Sequence, residues 1–148
     1  WNLPVYGKNI TKKLSDFKGK YMLLEFTATN CAACGKALEV MKRLESKFIN
    51  NNQVAVVSVY SSKADDKNSL KTFVIKNKIK NDLLYADYIN DLKTASELES
   101  NYKLWGYPTF YLIDKNGMVF KHLTGVSNVS EETEKKIIQL LDEKLKSN

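Results

Sequence analysis

The sequence predicts a single α/β domain over residues 1–148, with a central mixed β-sheet flanked by helices on both faces. Three observations predict it. The run KYMLLEFT, Lys20 to Thr27, is almost continuously apolar, as a strand covered on both faces must be. Helical and β-branched segments then alternate, and a strand, helix, strand order calls for a right-handed parallel crossover. Finally, two apolar segments flank Asp114-Lys115-Asn116-Gly117, in which Asn-Gly is a strong hairpin signal, so an antiparallel pair joins the parallel one.

Each element has its own justification. After the first strand, Leu38, Met41, Leu44 and Phe48 recur at helical spacing with Lys42, Arg43, Glu45 and Lys47 between them, which is an amphipathic helix. Gln53 to Tyr60, QVAVVSVY, is a second β-branched strand. Asp65 to Ile79 places Leu70, Phe73 and Val74 on one face of a second helix, and Asp91 to Tyr102 forms a shorter third. Thr109 to Ile113 and Met118 to Leu123 are the strands of the hairpin. From Ser130, acidic residues Glu131, Glu132 and Glu134 in the first turn and the stripe Ile137, Ile138, Leu141 and Leu145 specify a capped terminal helix.

Bulk properties bound the function. A chain of 148 residues buries a sizeable core without disulfide staples. Its 43% hydrophobic and 27% charged composition is that of a globular domain, and no apolar run approaches the roughly 20 residues that span a bilayer. An integral membrane protein is not expected. The opening WNLPVYG has neither an initiator Met nor the regions of a signal peptide, so a mature domain or a fragment of a longer precursor is expected. The net charge of +6 comes from 23 basic and 17 acidic residues, but Arg43 is the sole arginine and the lysines are spread through nearly every segment. Even the densest run, Lys76, Lys78 and Lys80, is interrupted by Asn77 and Ile79. That is a solvated surface and not a nucleic-acid reader, which concentrates Arg and Lys on one face.

The chain spends its only two cysteines on Cys31-Ala32-Ala33-Cys34, at the turn from the first strand into its helix. Residues three apart on a helix share a face, within reach of a disulfide. The first sulfur meets the unpaired N–H groups and positive end of the helix dipole, which stabilise the attacking thiolate; the second, one turn in, is shielded and suited to resolving a mixed disulfide. The bland alternative is an inert disulfide or two buried thiols. Upstream, Glu25 sits in the middle of the apolar strand, where a carboxylate is costly unless paired or protonated. It either points under the helix start towards Cys34, or lies at the sheet edge or pairs with a lysine such as Lys20.

These pieces together resemble the thioredoxin superfamily, and more narrowly the extracytoplasmic thiol:disulfide oxidoreductases of the TlpA and ResA type, over nearly the whole chain. KKLSDFKGKYMLLEF is similar to that family's lead-in strand, CAAC to its redox motif, and GYPTFYLIDKNG to its segment around a cis-proline. Ser61 to Trp105 resembles the helical insertion that precedes the cis-proline in this branch. The resemblance implies a thioredoxin-like fold, Cys31 as nucleophile, Cys34 as resolving thiol, Glu25 at the buried-acid position and Pro108 as the cis-proline beside the sulfurs. Tyr107 would then pair with an extended substrate as an added strand; a trans Pro108 that merely opens the strand is the alternative.

Thr27 and Asn30 stand where thioredoxins usually carry tryptophans, so the surface around Cys31 should be more polar. Trp105, three residues before Pro108, either supplies an aromatic contact there or packs under its loop. The resulting expectation is an enzyme without a bound cofactor that exchanges electrons with protein disulfide or dithiol partners, more as reductant than oxidant. An upstream electron donor, which a membrane-bound redox protein could provide, and a monomeric state belong to the same expectation, as does location in the periplasm or cell envelope. The rival is a thioredoxin-like copper chaperone using Cys31, Cys34 and His122, although such proteins resemble a C-x-x-x-C spacing. His122, alternating with Phe120, otherwise reads as a surface strand residue. A peroxidase is not expected, since the lone cysteine in a Pro/Thr-rich loop is absent. Asn9-Ile10-Thr11 and Asn128-Val129-Ser130 fit the glycosylation pattern but decide nothing.

Overall fold

The computed structural model describes residues 1–61, 67–79, 82–87, 90–123 and 129–147. Asp65, Lys80 and Asn128, each singled out above, lie outside the described residues. In chain order the elements are β1 (Asn2–Pro4), β2 (Thr11–Lys13), a 3₁₀ turn (Leu14–Phe17), β3 (Tyr21–Thr27), α1 (Ala32–Phe48) and β4 (Val54–Ser61). They continue with α2 (Lys67–Lys76), β5 (Leu84–Ala86), α3 (Leu92–Asn101), β6 (Thr109–Ile113), β7 (Val119–Leu123) and α4 (Glu131–Lys146). Five strands form one mixed sheet in the order β5-β4-β3-β6-β7. β3 runs parallel to β4 and antiparallel to β6, which places it at the centre. The cover on both faces expected of this run follows, because every residue from Tyr21 to Thr27 is buried, while Lys20 lies before the strand and is exposed.

Alternation along β3 sorts its side chains into two layers. Met22, Leu24 and Phe26 join the core beneath α3 and the N-terminal hairpin, together with Leu3, Leu98 and Tyr111. Tyr21 and Leu23 face the other way and pack with Ala37, Met41 and Leu44 of α1 and with Ile137 and Leu141 of α4. A smaller cluster holds Leu70 of α2 against Tyr60, Leu83 and Tyr85. Helices thus cover both faces of the sheet. With a period of two, Glu25 is assigned to the α1 side.

Two features differ from the sequence reading. The segment between β4 and β6 is not purely helical, since Leu84–Ala86 adds a parallel edge strand beside β4. Only three residues long, it lacks the run of alternating residues that makes a strand visible in sequence. The N-terminal pair β1 and β2 was likewise unmarked, and Leu3 and Val5 there are buried against the main core. The hairpin signal holds: Asp114 Oδ1 accepts the N–H groups of Asn116 and Met118, and Gly117 takes φ 87° to close the turn.

Helix α3 carries few buried residues, Ala95 and Leu98, so its ends matter. Asp91 caps it, its side chain accepting from the Thr94 N–H at 3.1 Å. Asp91→Ala is expected to cost about 1 kcal/mol, read as a lower urea midpoint at unchanged slope.

Candidate active site

The site lies at the C-terminal end of β3, where the chain turns into α1. Cys31 is the N-cap of α1 with extended backbone (φ −146°, ψ 111°), and its Sγ accepts the Cys34 N–H at 3.2 Å. A sulfur therefore does the work usually given to Ser, Thr or Asp, satisfying one of the orphan amides of the first turn. Cys31 and Cys34 are joined in a disulfide with a Cα separation of 5.2 Å. The two are unequal. Cys31 is partly exposed, whereas Cys34 is 1% exposed and sits in the α1 layer of the core.

β6 brings the second part of the site. It pairs antiparallel with β3, Thr109 opposite Phe26, so its leading residues arrive beside the start of α1. The Tyr107–Pro108 peptide bond is cis. The carbonyl oxygen of Tyr107 lies 3.6 Å from Cys31 Sγ, close enough to accept from a Cys31 thiol. Thr109 Oγ1 donates to the Gly106 carbonyl at 2.8 Å and holds the preceding loop. Pro108 is buried, Tyr107 half-buried, and Asn30 exposed beside the disulfide. Trp105 is 89% exposed, so it does not pack under its loop.

Glu25 is 1% exposed at the centre of the sheet, which disposes of the edge alternative. Its Oε2 accepts from Ser58 Oγ at 2.7 Å, Ser58 being its register partner on β4. Its Oε1 is buried without a hydrogen-bond partner. Burial pushes the Glu25 carboxyl up from 4.5 to about 7; donation from Ser58 opposes this, the charge of Glu45 adds to it, and Thr27 lowers it slightly. A group so placed takes up and releases a proton near neutral pH. Ser58 and Glu45 were missed in the sequence. The available signal was the lone serine in the apolar run QVAVVSVY, at the parity that faces α1.

His122 is not brought to the cysteines. It stacks on Tyr111, with ring centroids 4.4 Å apart, and Tyr111 belongs to the core on the face opposite α1. Among the described residues no group of three His, Cys, Asp or Glu side chains is arranged to hold a metal ion. No helix among them is long and apolar enough to cross a membrane.

The chain is 31% identical over 120 residues to the thiol-disulfide oxidoreductase ResA of Bacillus thuringiensis, covering 80% of this chain and 62% of that protein. It is 27% identical over 106 residues to the thioredoxin-like protein YneN of Bacillus subtilis, covering 72% of this chain and 57% of that one. The chain thus spans less than two thirds of the length of these curated relatives. Among solved structures, the exposed lipoprotein thioredoxin Etrx1 of Streptococcus pneumoniae superposes with a TM-score of 0.76 at 26% identity, covering 97% of this chain and 98% of the other. The thioredoxin-like fold expected from the sequence is the one observed. Residues 2–122 match the AhpC/TSA family, and the chain belongs to that family.

Proposed function

We propose that this protein is a thiol:disulfide oxidoreductase that works by disulfide exchange between Cys31/Cys34 and protein partners, chiefly as a reductant. One observation carries the reading: a disulfide whose first sulfur caps a helix, accepts an amide N–H and is partly exposed, while its second sulfur is buried. That asymmetry suits attack by Cys31 and resolution by Cys34. Glu25, with Oε1 left over from its bond to Ser58, serves as the base that takes the Cys34 proton. Tyr107 and Pro108 form the ledge on which an extended partner segment docks, and exposed Asn30 and Trp105 contact that partner. An upstream protein dithiol or a membrane-bound redox protein resupplies electrons, and no bound cofactor is invoked. The domain acts as a monomer outside the cytoplasm, a location supported by its likeness to an exposed lipoprotein thioredoxin.

Disulfide reductase turnover and metal content measured on the same sample test the activity. Turnover without metal supports the enzyme; tight copper without turnover supports the chaperone reading instead. A second expectation concerns redox poise. Ala32 and Ala33 bring no cation or side-chain donor to the Cys31 thiolate, so the potential should lie nearer thioredoxin's, about −270 mV, than that of a strong oxidant near −120 mV. Equilibration with glutathione giving a value above the midpoint of that range would contradict it.

A further inference from the structure

Glu25 is buried, but its hydrogen-bond partner borders a solvent-facing cavity. Ser58, which donates to Glu25 Oε2 at 2.7 Å, is only partly buried and lines a cavity of about 310 Å³ between α1 and the β4 side of the sheet. Lys42, Glu45 and Ser46 of α1 form one wall, and Lys78 and Asp82 the other. A space of this size with several polar walls has room and partners for water. The cavity lies behind α1, on the flank away from the β6 ledge, so the carboxyl has a route to solvent that does not pass the docked partner.

We propose that Ser58 is the proton relay and positioning residue of Glu25, passing protons between its carboxyl and water in this cavity. The inference rests on the reading of Glu25 as the base for Cys34. In the uptake direction the Ser58 O–H bond breaks as its proton goes to Glu25 Oε2, and Ser58 Oγ takes a proton from a cavity water. That water regains a proton from bulk solvent, Ser58 ends as the hydroxyl it began as, Glu25 has gained one proton, and no electrons move. Release runs the same steps backwards.

The surrounding charges agree with this arrangement. Lys42 is engaged by Glu39 at 2.9 Å, Asp82 by Lys8 and Lys12, and Glu134 of α4 by Arg43. From β6, Phe110 faces Glu25 in register, and from β3 itself Thr27 adds a neutral hydroxyl. Glu45, on the cavity wall, favours the protonated form of Glu25, and the Ser58 hydroxyl favours the ionised one. The two residues therefore act on the carboxyl in opposite directions.

The test titrates Glu25 directly by carboxyl carbon NMR in the full chain and, in parallel, measures the pH profile of mixed-disulfide resolution. Ser58→Ala should raise the Glu25 midpoint and slow resolution by about tenfold. Ser58→Thr, which keeps the hydroxyl, should restore both, and Glu45→Gln should lower the midpoint. Ser58→Ala superimposing on wild type, or Ser58→Thr behaving like Ser58→Ala, would overturn the relay. Should Ser58→Ala fail to fold, Ser58→Gly, which also removes the hydroxyl, takes its place, and a wild-type midpoint and resolution rate there overturn the relay. Normal resolution in Glu25→Gln would overturn the base reading, whereas slowed resolution there with an unaffected Ser58→Ala overturns the relay alone.

Discussion

Cys34→Ser should leave the protein covalently tied to its partners. Cys31 is the sulfur within reach of solvent, and the Cys34 N–H that donates to it is a backbone group that survives the substitution. The first attack therefore proceeds, a mixed disulfide forms on Cys31, and no second sulfur remains to displace the partner. Multiple-turnover reductase activity should fall to the level of the buffer reaction while mixed disulfides accumulate. Cys31→Ser should also be inactive, yet accumulate few adducts, because Cys34 is buried at 1% exposure and cannot meet a partner's disulfide. Non-reducing gels of both variants after exposure to a disulfide substrate distinguish the two sulfurs. Equal trapping by both would sink the assignment of roles.

Glu25→Gln should separate the two steps of the reaction. The first attack depends on Cys31 and should be nearly unchanged, while resolution, in which a shielded Cys34 thiol must lose its proton, should slow by about 10- to 100-fold. The same carboxyl makes stability depend on pH. Burial lifts it from 4.5 to about 7 in the folded chain, so between these values the native state holds a proton that the unfolded state has released. The unfolded state then binds fewer protons, and stability falls as pH rises through this window. The loss is absent below the lower value and complete above the upper, amounting to roughly 3 kcal/mol for a displacement of that size. Glu25→Gln removes this slope, so its stability relative to wild type should improve steadily from about pH 5 to about pH 8. Stopped-flow kinetics of the two steps and urea unfolding at both ends of the window check the pair of effects. Unchanged resolution with the stability gain intact would return Glu25 to a purely structural role.

Much of this protein was written in local pattern. β3 and β6 were legible because strands buried on both faces carry long β-branched and apolar runs, and β6 begins and ends where its sequence does, at Thr109 and Ile113. Helices α1 and α4 announced themselves by stripes at helical spacing, and the β6–β7 turn by Asn116-Gly117. The cysteine pair and its place at a strand-to-helix turn were equally plain. Such features depend on residues within a few positions of one another, so periodicity and turn chemistry suffice to specify them.

What neighbours Glu25 was decided only in three dimensions. Ser58 is 33 positions away and reaches the carboxyl because β3 and β4 pair in parallel with Glu25 opposite Ser58, a register no local pattern encodes. Sheet order likewise placed β3 between β4 and β6, burying Glu25 and lifting its carboxyl, where the sequence left open an edge position or a lysine partner such as Lys20. β1, β2 and β5, three residues each, exist because neighbours supply their hydrogen bonds, and the exposure of Trp105 is likewise decided by the fold around its loop. Local sequence determines which segments are helix or strand; long-range pairing determines which side chains meet, and the raised carboxyl of Glu25 belongs to the second.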